Sequence, residues 1–266
     1  MLKLIPIASA ALALSLGAGT SHAAFELSDE NSVLAGDVTT GEFDVEDFVV
    51  DGVDQLFSHT LSYSVDGQPQ ASFGTLDVVT ERTGTLNTDF DGSGEPDNLF
   101  ATFADPDGRF NIEVNNRLEG GQPGSGVADL AQQIQVNNTS SGDLEFSLFY
   151  FANYDIAGDF LGDAAIADNA NTIVQSDGDQ FVETVFTPAG AIDISQTIFV
   201  PFAIGEEDDS SGDTSWTLQW DTVIQEGGTF NVSLDTRAIV PEPGTMVLFV
   251  TGLLLTGRGL RRPRKR

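Results

Sequence analysis

Apolar side chains recur at every second position in short runs along most of this chain. Leu61-Ser62-Tyr63-Ser64-Val65, Phe110-Asn111-Ile112-Glu113-Val114, Phe181-Val182-Glu183-Thr184-Val185-Phe186 and Phe230-Asn231-Val232-Ser233-Leu234 each set them two apart, the period of a strand with one buried face. Turn-forming pairs separate the runs: Asp66-Gly67, Asp107-Gly108, Ser141-Gly142-Asp143, Asp177-Gly178-Asp179 and Glu226-Gly227-Gly228. From Phe25 to Arg237 no window holds an apolar stripe at helical spacing for three turns. The pattern predicts an all-β domain of around ten strands, an antiparallel β-sandwich or jelly roll. One helical candidate runs from Gly126 to Gln135 through Val127, Leu130, Ala131 and Ile134, although Ile134-Gln135-Val136 equally starts a strand.

Two segments are richer. Leu144, Phe146, Leu148 and Tyr150 share one face of a predicted strand whose other face carries Phe149 and Phe151, the mark of a central strand covered on both sides. Trp216, Leu218 and Trp220 share a face of another, which turns into Phe230 to Leu234. Arg117 to Ser125 reads as a long loop within one sandwich or a linker between two small β domains, and Glu206 to Asp213 as an exposed acidic loop.

Both ends break the pattern. Met1 to Lys3 carries one positive charge, Leu4 to Gly19 is apolar, and Ser21 and Ala23 are the small side chains that signal peptidase requires before a cut between Ala23 and Ala24. Residues 1–23 are therefore expected to be a signal peptide; a buried N-terminal helix is the other reading. At the far end Val240-Pro241-Glu242-Pro243-Gly244 precedes an uncharged run from Thr245 to Gly257, then Arg258, Arg261, Arg262, Arg264, Lys265 and Arg266. Thirteen helical residues rise about 20 Å, short of a hydrocarbon core of roughly 30 Å. The basic cluster favours a cytoplasmic end, leaving residues 24–238 on the outer side of the membrane.

Pro241-Glu242-Pro243, the apolar run and the terminal arginines resemble the PEP-CTERM sorting signal of exported Gram-negative bacterial proteins, over residues 239–266. The resemblance implies recognition of Pro241, Glu242 and Pro243 by an exosortase, removal of the tail, and passage from an anchored inner-membrane intermediate to the cell surface or extracellular matrix. The strand pair running directly into Val240-Pro241 is also similar to the β-sandwich ectodomains that precede this signal. A C-terminal anchor that is never cut is the alternative.

Composition sharpens the picture of the body. From Ala24 to Ile239 there are 40 acids against four arginines (Arg82, Arg109, Arg117, Arg237), a net charge of −36. Such a surface repels phosphate backbones, so nucleic acid is excluded as a partner. With no cysteine, thiolate chemistry and disulfides are excluded. Asn87, Asp89 and Asp91 followed by Gly92, with Asp97 closing, reproduce the opening of a calcium loop: a hard cation needs converging oxygens and a glycine lets the chain turn around it. The departures are Asn87 at the first position and Asn98 where a bidentate Glu is expected, and an ordinary acidic turn is the competing reading. Asp155, Asp159 and Asp163, four apart, form a second acidic group that reads as solvated turn residues or a partial cation site.

Catalytic signatures are missing. No G-x-S-x-G or H-E-x-x-H occurs, and His59, the histidine outside the signal peptide, falls beside Phe57 and Leu61 as a half-buried strand residue. Two carboxylates suffice for a glycosidase, which a chain this acidic can supply. Asn137, Asn138 and Asn231 fit glycosylation sequons, a weak signal in a bacterial setting. The reading that follows is a non-enzymatic surface or matrix protein with a structural role, whose acidic face recruits divalent cations to bridge to anionic exopolysaccharide. The alternative is a carbohydrate-binding or carbohydrate-active sandwich, with Trp216, Trp220 or Tyr150 as a stacking platform if their face is open.

Overall fold

The computed structural model describes residues 24–38, 43–56, 58–84, 94–156, 162–195 and 214–240. Ala23, Pro241, Glu242 and Pro243, the apolar and basic tail, Asn87, Asp89, Asp91, Asp159 and the acidic segment 206–213 lie outside the described residues. Strands are numbered in chain order. One sheet is built, in spatial order, from β1 (Ala24–Asp29), β2 (Ser32–Asp37), β3 (Asp44–Val50), β5 (Ser58–Val65), β11 (Leu144–Asn153), β16 (Ser215–Ile224) and β15 (Ala191–Ser195), with short β4 (Val53–Asp54) on β3 and β6 (Ala71–Ser72) on β5. The second runs β12 (Ala164–Asn169), β13 (Thr172–Asp177), β14 (Gln180–Thr187), β17 (Thr229–Ile239), β10 (Val127–Asn138), β9 (Phe110–Gly120), β8 (Asn98–Ala104) and β7 (Asp77–Gly84). Every strand pair is antiparallel, as in β10 with β9 and β17, or β11 with β5 and β16.

The two sheets are held face to face by one apolar cluster. Aromatic rings bridge them: Phe43 to Phe103 at 6.1 Å, Tyr63 to Phe110 at 5.3 Å, Phe110 to Phe146 at 5.3 Å and Phe186 to Trp220 at 6.1 Å between centroids. Each such ring taken out of water stabilises the fold by roughly 2–3 kcal/mol. The predicted turns form where expected. Asp66 and Gly67 both have positive φ, and the Gln68 N–H closes the turn on the Val65 carbonyl at 2.9 Å.

Two expectations are corrected. Seventeen strands are present among the described residues, not about ten, because several are only two to six residues long. The helical candidate is the first part of β10, paired on both edges, with Ala128, Leu130, Ile134 and Val136 facing the core. Its alternation is hidden in the sequence because a polar residue, Gln132, occupies an inward position at 1% exposure. Arg117 to Ser125, read as a loop within one sandwich or a linker, is the end of β9 and the loop of the hairpin that joins it to β10.

That loop is clasped at one end of the sandwich. Asp51 accepts the N–H groups of Gly124 (2.6 Å) and Gly126 (2.7 Å) and the Asn31 side-chain amide (2.9 Å), while the Asn31 oxygen accepts the Gly121 N–H (2.8 Å). Partial burial pushes the Asp51 carboxyl up, but these donors outweigh it and hold the group below its ordinary value. The clasp extends to Val240, whose N–H donates to the Gly126 carbonyl at 2.6 Å one residue before Pro241.

Candidate functional site

Strand pairing decides which side chains share the outer face of the first sheet. Across β5, β11 and β16 the register aligns Ser64, Ser147 and Asp221 in one row, Ser62, Phe149 and Gln219 in the next, and Thr60, Phe151 and Thr217 in the third. Inner-face neighbours of these residues are buried core side chains, so the rows themselves point outward. Asp221 is oriented by two donors: Ser147 Oγ at 2.6 Å, and Gln219 Nε2 at 2.8 and 2.9 Å from its two oxygens. An open trough of about 480 Å³ runs over this first row, lined also by Gly67, Glu145, Thr222 and Val223. Phe149 and Phe151 are half-buried beside it, so the face expected to be covered is partly open. Toward the other end Thr217, Ser215 and Asn153 are buried.

The chemistry of the trough is hydroxyl and carboxylate, with Asp221 pre-oriented by Gln219 from the next row, where Phe149 also stands. Such a surface can accept and donate hydrogen bonds to ligand hydroxyls while its rings meet apolar C–H faces. Glu145 and Asp221 occupy diagonal positions on neighbouring strands, since Glu145 pairs with Val223 and Ser147 with Asp221. Diagonal neighbours lie roughly 7–8 Å apart along the sheet.

The interior is more polar than the sequence suggests. Tyr150 donates to Gln132 Oε1 at 2.9 Å, and Gln132 Nε2 donates to Asn116 Oδ1 at 3.1 Å, all three fully enclosed. The His59 ring lies 4.4 Å from that of Tyr150 and edge-on to Phe43 at 6.0 Å. Burial without a hydrogen-bond partner for Nε2 depresses its pKa to about 3, so the ring is neutral and inert at physiological pH. The half-buried histidine read from the sequence is thus a wholly internal one. The condition for a stacking platform, an open face, is not met: Trp216, Trp220 and Tyr150 are at most 3% exposed, because their face of β11 and β16, shared with Leu218, is the inner one. Trp216 stacks on Tyr150 at 5.5 Å, and Trp220 Nε1 donates to the Pro188 carbonyl at 2.8 Å.

Of the calcium loop, Asp97 lies within the described residues. It is 5% exposed, its carboxylate accepts the Asn98 side-chain amide, and its carbonyl accepts the Leu118 N–H at 2.9 Å. Among the described residues no three acidic or histidine side chains gather to hold a metal. Asp163 is completely buried, unlike the solvated turn residue expected, and touches Gln175. Burial, aided by the charges of Asp155 and Asp177 and opposed by the Ile156 N–H and Gln175, lifts its carboxyl to about 7. The trough was not singled out by sequence reasoning, and of this pair only Asp163 was, in the acidic group with Asp155 and Asp159. The outward position of Asp221 follows from the alternation that sets Trp220 inward; its meeting with Ser147, 74 residues away, does not.

No protein-family model matches the chain, and no curated protein does. Solved structures do. A bacterial glucoamylase complexed with acarbose superposes with a TM-score of 0.53 at 9% identity, over 88% of this chain. The chain spans only about a third (34%) of that glucoamylase. The Slr1438 protein from Synechocystis sp. PCC 6803 superposes at 0.54 with 9% identity over 82% of this chain and 96% of that one. A galactose mutarotase related enzyme from Lactobacillus acidophilus gives 0.52 at 7% identity, over 83% and 98% of the two chains. At these identities the likeness is one of fold. The expectation that the chain is no enzyme is therefore withdrawn: it rested on missing hydrolase signatures, and this architecture is found in a mutarotase related enzyme that the signatures do not describe. Among the described residues no helix is long and apolar enough to cross a membrane; the run from Thr245 to Gly257 lies outside them.

Proposed function

We propose that residues 24–238 form a carbohydrate-binding β-sandwich, exported through residues 1–23 and sorted through Pro241-Glu242-Pro243 to the cell surface or matrix. The observation that carries the binding reading is the trough over Ser64, Ser147 and Asp221, with Gln219 orienting Asp221 from the next row beside Phe149, on a fold shared with a glucoamylase bound to acarbose and a mutarotase related enzyme. Asp221 and Glu145 give the trough negative charge, so its ligand is a neutral, hydroxyl-rich saccharide; an anionic polysaccharide would be repelled unless cations intervened. Binding of neutral oligosaccharides measured calorimetrically should fall at least tenfold on Asp221→Ala, which removes the acceptor that both Ser147 and Gln219 orient. Equal affinity in the variant, or no binding by the natural chain, would overturn the reading.

A second reading follows from the diagonal carboxylates. Glu145 and Asp221 are diagonal neighbours on adjacent strands, their backbone positions roughly 7–8 Å apart, and paired glycosidase carboxylates act at roughly 5–10 Å. This makes the trough a candidate for acid–base chemistry on the bound sugar. Anomeric interconversion and hydrolysis assays that go to background on Glu145→Gln with binding retained would support it; no turnover by the natural chain would refute it. The sorting reading is supported by the order of motif, apolar run and basic tail. Its test is the mass of the exported chain with and without an exosortase, the tail being lost only when the enzyme is present.

A further inference from the structure

Gln175 sits on the inner side of β13 at 1% exposure, and three acceptors enclose its amide nitrogen. They are the Tyr154 carbonyl at 2.6 Å, the Thr214 carbonyl at 3.1 Å and Asp163 Oδ2 at 3.4 Å. These fix the orientation of the amide, since turning it over would press Oε1 against two carbonyl oxygens. Oε1 therefore faces the other way, buried and without a hydrogen-bond donor. Asp163, at 0% exposure, repeats the situation: the Ile156 N–H and Gln175 serve the carboxylate, yet Oδ1 is buried with no donor. The Thr214 hydroxyl is committed to the Asp163 carbonyl at 3.0 Å. The charges acting on the carboxylate are those of Asp155 and Asp177, both negative.

Two adjoining side chains thus present two buried oxygens, no donor and an acidic surround. Buried oxygens that lack hydrogen-bond donors, on an amide and a carboxyl whose neighbouring charges, Asp155 and Asp177, are negative, are the chemistry of a hard cation, with backbone carbonyls and water able to complete the shell. We propose that Asp163 Oδ1 and Gln175 Oε1 are ligands of a calcium ion that ties β13 to the ends of β11 and β16. The site is distinct from the 87–97 loop and independent of the saccharide trough. Because no three acidic side chains converge among the described residues, its charge count is low, which sets it with the weak extracellular sites of dissociation constant about 0.1–1 mM.

The test is thermal unfolding of the full-length chain at pH 7.5 under a calcium titration, with sodium chloride at matched ionic strength as control. At ten times the dissociation constant the folded-to-unfolded ratio should rise about elevenfold, fail to rise in Asp163→Asn, and rise as before in Asp168→Asn, an exposed acid of the same strand region. Terbium, a luminescent stand-in for calcium, gives a second readout that does not depend on a variant folding. Emission excited through Tyr154 and Trp216, whose rings are 6.2 Å apart, should appear and be displaced by calcium. An equal calcium response in the natural chain and Asp163→Asn would overturn the proposal, as would a natural chain that neither responds to calcium nor sensitises terbium.

Discussion

Replacing His59 by Phe isolates the energetic consequence of a neutral imidazole locked between the sheets. Unfolded, the ring titrates at its ordinary 6.5; folded, burial depresses it to about 3. Above pH 6.5 neither state binds the proton, and the contribution of the neutral ring to stability is complete. As pH falls below 6.5 the unfolded chain gains a proton that the folded chain refuses, so stability is lost progressively down to about pH 3. At 1.36 kcal/mol per unit the full loss is about 5 kcal/mol, and the part developed by pH 4.5 is about 3 kcal/mol. Desolvation alone causes the shift, and the titratable side chain against the ring, Tyr150, has its own pKa raised by burial and stays neutral throughout. The bulkier phenyl ring costs about 1–3 kcal/mol at every pH by crowding Phe43 and Tyr150. The assay is therefore the difference in urea midpoint between pH 7.5 and 4.5, in which that constant cost cancels. The natural chain should lose about 1 M more than His59→Phe across this interval. Equal losses would refute a buried, neutral His59.

Other outcomes are equally specific. Tyr150→Phe deletes the hydroxyl that Gln132 accepts inside the core, and should destabilise by about 1–3 kcal/mol in denaturant titration without changing saccharide affinity. Asp51→Ala removes the acceptor for the Gly124 and Gly126 N–H groups; a loss of about 1–2 kcal/mol is expected, with faster hydrogen exchange at both amides. Unchanged exchange there would mean that the loop is held by Asn31 alone.

What the sequence revealed and what it concealed divide along physical lines. β11 and β16 were legible because Leu144 to Tyr150 and Trp216 to Trp220 alternate without interruption, and the same alternation sets Leu218 with both tryptophans, the sign of a core face. β10 was not, because Gln132 takes an inward place reserved for it by Tyr150 and Asn116, partners contributed by other strands. The trough was half legible: alternation turns Asp221 outward, but its meeting with Ser147 depends on the register of β11 against β16. Asp163 was misread because an acid in a glycine-containing loop looks solvated, and only the closure of β13 onto Tyr154 and Thr214 buries it. Acidic composition suggested cation-bridged polysaccharide as the leading role, whereas the strand alternation announced the all-β sandwich and left carbohydrate binding as the alternative.

Backbone amide chemical shifts followed by NMR during titration with neutral oligosaccharides examine the central claim most directly. The largest changes should gather on Ser62, Ser147, Phe149, Gln219 and Asp221, one outer sheet face. Changes gathered instead on the opposite sheet around Asn111 and Asn137, or no change with any saccharide, would contradict a carbohydrate-binding role for this face.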